Sequence, residues 1–241
     1  MVFCAHALGM HLPSYRELAK MIDHSLLKPT MTEHELEAGC RLALEYDVAT
    51  VCIMPYYLAR ASEQLQGSSV LPTTTVGFPH GGQSSRVKQL EAEQALRDGA
   101  RELDMVVNIS QVLSGNFEAV RADILAVLEP TRARGQKLKV IFENCYLNEA
   151  QKIRLCEICG ELGVDWVKTS TGFGSSGARI EDLILMRKHS PPHVQVKAAG
   201  GVQDLDMLLS IREVGATRSG CSKTAEVLGE LRRRLALGER A

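Results

Sequence analysis

A single-domain α/β fold, an eight-stranded parallel (β/α)8 barrel, is predicted by three features of this 241-residue chain. Apolar runs rich in Val and Ile recur eight times, and stretches whose apolar residues fall at helical spacing separate them. The length also lies within the roughly 200–250 residues that such barrels occupy as one unit. A composition that is 45% hydrophobic and 24% charged is ordinary for a folded protein and argues against disorder or a fibrous repeat. The competing open, doubly wound sheet lacks its GxGxxG turn before the first helix.

The elements follow in order. Residues 1 to about 20 read as a leading helix. The eight strands are expected at 22–26, 49–53, 71–77, 102–107, 139–143, 165–169, 195–198 and 216–220. Successive starts lie mostly about 20 to 36 residues apart, room for a helix and two loops. After the first strand EHELEAGCRLALEY (33–46) is amphipathic, after the third RVKQLEAEQALRDG (86–99), and after the fourth NFEAVRADILAVLEPTR (116–132). Each ends near Gly, Pro or Asp. Residues 225–237 close the barrel, and no linker or charge block divides the chain.

The 28 Lys and Arg against 29 Asp and Glu leave a net charge of -1, which offers no basic field to gather nucleic acid or an anionic membrane. Small-molecule chemistry is expected instead. No apolar run approaches the roughly 20 residues of a membrane span, and the first residues lack a secretory pattern, so the expected location is cytoplasmic. The seven cysteines, an odd and scattered set, read as reduced thiols. Cys156-x-x-Cys159 lies in a helix-like stretch without a second pair, and His24, His34, His80, His189 and His193 are dispersed without HxH or HExxH spacing. Neither a metal nor another cofactor is expected.

Chemistry enters through charged residues inside apolar strands. The sixth strand reads DWVKTSTGF and the seventh VQVKAAGGV, placing Lys168 and Lys197 one strand–helix unit apart. A strand's period of two then turns both lysines into the barrel and Val167 and Val196 toward the helices. A lone strand lysine can simply pack its stem and release its amine to water. Two ammonium groups in one pocket disfavour each other's protonation, as desolvation does, which is how a lysine becomes a nucleophile. An ordinary lysine is only about 0.04% neutral at pH 7, a handicap of roughly 4.6 kcal/mol. On the fourth strand, RELDMVVN puts Asp104 on the face opposite Leu103 and Met105, either to balance the lysines or to shuttle protons. Glycines after the last three strands, in TGFG, AGGV and SGCS, let backbone N–H groups approach an anion, in the region where barrels recurrently hold phosphate.

DHSLLKP, VCIMP, TVGFPHG, ELDMVVN, VKTSTGF, VKAAGGV and the weaker TRSGCS together span residues 23–222 and resemble, in order and spacing, the deoxyribose-phosphate aldolase family. The resemblance implies a metal-free class I aldolase on a TIM barrel that reversibly cleaves 2-deoxy-D-ribose 5-phosphate to acetaldehyde and D-glyceraldehyde 3-phosphate. By matching motif, Lys168 would form the Schiff base and Asp104 and Lys197 would transfer protons. Asp23, Ser25, Cys52, Thr171, Gly172, Gly200, Gly201 and Ser222 would line or bind the substrate, and a homodimer is expected because relatives are often dimers. The chain departs from the pattern where relatives often bind phosphate. Phe173 stands where some have Lys, Gln203 where Arg is frequent, and Lys223 where a second small hydroxyl is common; Lys223 is expected to supply the charge lost at Gln203. The ending LRRRLALGERA lacks the Tyr that some relatives bring to the site. Aldolase action on other or unphosphorylated aldehydes, a sugar-phosphate isomerase or cyclase, and a non-catalytic binding barrel remain the alternatives.

Overall fold

The computed structural model describes residues 12–238. Among them, eight parallel strands close into a barrel, each pairing with the next in sequence and the eighth with the first. The strands are β1 (Ile22–Leu26), β2 (Thr50–Ile53), β3 (Leu71–Val76), β4 (Glu102–Val106), β5 (Lys137–Ile141), β6 (Trp166–Lys168), β7 (Gln195–Ala199) and β8 (Arg218–Cys221). Helix α1 (Tyr15–Ala19) precedes them. Around the barrel run α2 (Glu33–Glu45), α3 (Leu58–Gln64), α4 (Ser85–Arg97), α5 (Ile109–Leu113), α6 (Phe117–Ala133), α7 (Glu149–Leu162), α8 (Ile180–His189), α9 (Leu205–Glu213) and α10 (Thr224–Leu237).

Alternation along the strands separates two environments. Leu103, Met105, Val140, Val167 and Val196 join Ile124, Leu128, Leu155, Ile158, Leu183 and Leu208 from the helices in the apolar layer between sheet and helices. Each fully buried aliphatic side chain there contributes roughly 1.5–3 kcal/mol. The intervening positions, Asp104, Lys139, Lys168 and Lys197, are buried and ionisable. The helices begin where short polar side chains satisfy their free N–H groups. Thr32 and Glu35 cap α2 reciprocally, as Asn148 and Gln151 cap α7, and Gly163 ends α7 in the left-handed region at φ 69°. Cys156 and Cys159 face inward on α7, where burial raises both thiols, Cys156 to about 11. Among the described residues no helix is long and apolar enough to cross a membrane.

Four departures from expectation stand out, while the remaining strand ends shift by at most one residue. Of the predicted leading helix only Tyr15–Ala19 is helical among the described residues, starting at a Ser14–Glu17 capping box; residues 1–11 lie outside them. The fifth strand sits two residues earlier than predicted, because Glu143 leaves the ladder with φ 58° and opens a 3-10 turn, Asn144–Tyr146. The eighth strand begins at Arg218, the residue that pairs with Lys197. Pro130 lies inside α6 rather than at its end, within the last turn, where it removes the N–H that would otherwise bond Ala126 O.

Candidate active site

Register brings the chemistry together. Lys168 lies directly opposite Lys197 across the β6–β7 ladder, and Asp104 opposite Lys139 across β4–β5. Lys168 Nζ and Lys197 Nζ both donate to Asp104 Oδ2 at 2.7 Å, while Lys139 Nζ donates to Oδ1 at 2.8 Å. Lys197 also contacts Asp23. Lys139 lies 2.5 Å from Glu102 and 3.5 Å from Asp23. Arg218 completes the cluster, 2.6 Å from Asp23 and 3.1 Å from Glu102, with its guanidinium 4.9 Å from the Trp166 ring centre.

Three carboxylates thus meet four bases inside a barrel that excludes water, so the cluster is neutral only when one base has lost its proton. Geometry selects that base. Lys139 and Lys197 each touch two or more carboxylates, whereas Lys168 touches only Asp104, on an oxygen it shares with Lys197. Burial lowers the Lys168 ammonium; Asp104 opposes this and Lys197 reinforces it, leaving it below the ordinary lysine value. For Lys197 burial also acts downward, but Asp104 and Asp23 outweigh it and the group is raised. Lys139 is raised in the same way by Asp104, Glu102 and Asp23. Burial works to raise Asp104, yet Lys139, Lys168 and Lys197 hold it well below the usual carboxylate range.

A cleft of about 670 Å³ opens at the C-terminal ends of the strands, and of the cluster only Lys168 lines it, with Asp104 and Lys197 buried behind that amine. Lys168 reaches that cleft. Its walls include Ser25, Thr171, Gly172, Phe173, Gly200, Gly201, Gln203, Ser222 and Lys223. The loops after β6 and β7 cross in contact: Ala178 N–H donates to Gly200 O at 3.0 Å, and a Cβ on Gly177 would lie 2.3 Å from that oxygen. Glycine at 177 is therefore required by contact. Gly201 (φ 85°) is left-handed with open space before it. Helix α10 begins at the cleft with no side-chain cap on its first N–H groups.

Of the residues expected to meet substrate, Asp23 and Cys52 lie beneath the cleft instead of lining it. Asp23 is fully buried with both oxygens engaged by bases, and Cys52 is buried beside the cluster, its thiol pushed up to about 11 mainly by burial. Lys223 is half exposed at the rim, 3.0 Å from Glu226. Phe173 is 49% exposed and meets Phe78 edge-on at 5.4 Å between ring centres. His80 is exposed on the loop after β3. The sequence reading overlooked Lys139, Glu102 and Arg218. The signal was there: Glu102 stands two residues before Asp104, and Lys139 shares the alternation that exposed the other two lysines. His24, expected only as one of the dispersed histidines, lines the cleft with Nδ1 2.8 Å from Thr224 Oγ1, and burial lowers it to about 4, leaving a neutral ring.

The chain as a whole resembles known proteins. The sequence pattern of the DeoC/LacD family aldolase matches residues 18–222. A deoxyribose-phosphate aldolase of Rhodopirellula baltica is 60% identical over 223 residues, 92% of either chain. One from Clostridium tetani is 42% identical over 89% of this chain and 99% of its own. The solved structure of the tetrameric deoxyribose phosphate aldolase of Aeropyrum pernix superposes with a TM-score of 0.83 at 29% identity, covering 91% of this chain and 92% of that one. A family pattern that matches residues 18–222, with agreement over about nine-tenths of both chains in sequence and in fold, places the chain in the DeoC/LacD family of aldolases.

Proposed function

We propose that the protein is a class I aldolase that reversibly cleaves 2-deoxy-D-ribose 5-phosphate to acetaldehyde and D-glyceraldehyde 3-phosphate. The observation that carries this reading is the single amine at the cleft floor, Lys168, lowered by burial beside a raised Lys197 and a fully ionised Asp104. The neutral Lys168 amine adds to C1 of the open-chain sugar and water leaves, giving an iminium. The C3 hydroxyl loses its proton, the C2–C3 bond breaks and its electron pair enters the iminium as an enamine. D-glyceraldehyde 3-phosphate departs. Protonation at C2 and hydrolysis return acetaldehyde and the amine. Lys197 and Asp104, joined at 2.7 Å, carry the protons. No step draws on a cofactor. Further partners of the reading are aldehyde substrates and a second copy of the chain, in the cytoplasm.

Incubation with acetaldehyde, borohydride reduction and peptide mapping tests the assignment: a two-carbon adduct is expected on Lys168, and an adduct confined to another lysine refutes it. Lys197→Leu provides a pH test. Removing a neighbouring cation makes protonation of Lys168 easier, so the limb along which cleavage rises with pH should move upward by roughly one unit. An unmoved limb argues against tuning by Lys197.

In this reading the phosphate lies against backbone groups of Gly172, Gly200, Gly201 and Ser222 near the start of α10, with Lys223 as the nearby charge; the support is that these residues line the cleft and that α10 begins there without a side-chain cap. Lys223→Ala should raise KM for the phosphorylated sugar about three- to tenfold and leave KM for 2-deoxyribose unchanged. Equal KM for the phosphorylated sugar in variant and wild type rejects compensation for Gln203.

A further inference from the structure

Just beyond β5, Glu143 combines three features the aldolase chemistry does not use. It is 2% exposed. Its backbone lies in the left-handed region at φ 58°, ψ 64°, which among the described non-glycine residues only Asp47 shares by sign of φ. Its carboxylate is buried with no Lys or Arg paired to it among the described residues, a costly arrangement unless other donors fill its oxygens.

The ladder explains how it got there. Phe142 N–H donates to Lys168 O and Asn144 N–H to Thr169 O, each at 2.9 Å. Between those bonds one strand advances two residues and the other only one, which is a bulge, and bulges re-aim side chains beside active sites. The re-aimed carboxylate meets the loop after β6. Both oxygens accept Thr171 N–H at 3.3 Å, and Oε2 accepts the Thr171 hydroxyl proton. Thr171 Oγ1 in turn accepts Phe173 N–H at 3.0 Å. Gly174 packs so closely over the group that a Cβ would lie 2.6 Å from Cys145 Sγ and 3.1 Å from Glu143 Cδ. The loop that starts three residues after Lys168 and supplies Thr171, Gly172 and Phe173 to the cleft wall is thus folded around one carboxylate.

We infer that Glu143 is a positioning residue for the sugar-phosphate end of the substrate: acting through Thr171, it holds residues 171–174 in the shape that receives that end, and it takes no part in imine formation. The inference rests on the aldolase reading with Lys168 as the nucleophile. It predicts a split between binding and covalent chemistry.

Glu143→Gly removes the carboxylate while leaving a residue at home at positive φ. KM for 2-deoxyribose 5-phosphate should rise about tenfold or more, with kcat within about threefold and the rate of acetaldehyde trapping on Lys168 within about twofold of wild type. Glu143→Gln, which keeps an acceptor of the same shape, should restore KM to within about threefold. Thr171→Val should raise KM as Glu143→Gly does, and the double variant should add less than about twofold to either. An unmoved KM in Glu143→Gly, a trapping rate that falls in step with cleavage, or effects that multiply fully in the double variant would each overturn the inference. Should Glu143→Gly not fold, Glu143→Asn, which tolerates positive φ and is one methylene shorter than the side chain that reaches Thr171, combined with Thr171→Val gives the same coupling test. These outcomes leave wild-type trapping on Lys168 intact, whereas its absence would remove the aldolase reading and this inference together.

Discussion

Lys168→Leu is expected to lose retro-aldol cleavage by at least roughly 10⁴-fold and to form no borohydride-reducible adduct with acetaldehyde. Its stability should hardly change. The proposed nucleophile is the neutral amine, so on this reading Leu removes no charge and leaves three carboxylates facing Lys139, Lys197 and Arg218 in balance. Leucine also fills much of the vacated stem volume, and the expected change is within about 1 kcal/mol, or a few degrees in Tm. Two measurements therefore bear on one residue. Cleavage at the wild-type rate would end the proposal that Lys168 is the nucleophile, and a large loss of stability would show that it had been charged and structural.

The site that this variant probes was legible to differing depths. Lys168, Lys197 and Asp104 could be found because each interrupts an apolar strand, and a two-residue period tells which way it points. The same rule would have delivered Lys139, Glu102 and Arg218 had it been continued toward the strand starts. The expected strand instead opens on Lys139, at a position where a lysine ordinarily meets water, whereas the ladder begins at Lys137. Lys139's true neighbours, Glu102 and Asp104, are set by the β4–β5 register, Glu102 against Lys137 and Asp104 against Lys139. Registers join residues far apart in the chain, and local spacing carries little of that information. Glu143 was harder. It continues the run KVIF without a break, and only the slip of the ladder past β6 turns its side chain from strand to loop. Asp23 and Cys52 show the converse. Their motifs marked them as important, but depth below the cleft emerges only when the barrel closes and Arg218 and Lys197 come to meet Asp23.

Asp104→Asn should separate the two roles that a central carboxylate can hold. With Asp104 neutral, four bases face two carboxylates, and the buried charge left uncompensated costs about 3–5 kcal/mol, a fall in Tm of roughly 6–20 °C for a chain of this size. The pH dependence has a fixed sign. The folded value of Asp104 lies well below the ordinary 3.8, so its stabilisation is fully present above that value and fades as pH falls below it. Wild type and variant should accordingly differ most near neutrality and converge on acidification in a denaturant titration. Chemistry should divide as well. Asp104 opposes the lowering of Lys168, so its loss makes the amine easier to deprotonate, and acetaldehyde trapping should survive at neutral pH. Turnover should nevertheless drop by about 10²–10⁴, because the Lys197–Asp104 pair no longer moves protons at C2 and the C3 hydroxyl. If trapping and turnover fell together, Asp104 would be serving only to hold Lys168. If neither fell, the proton path would have to run through other groups at the cleft floor.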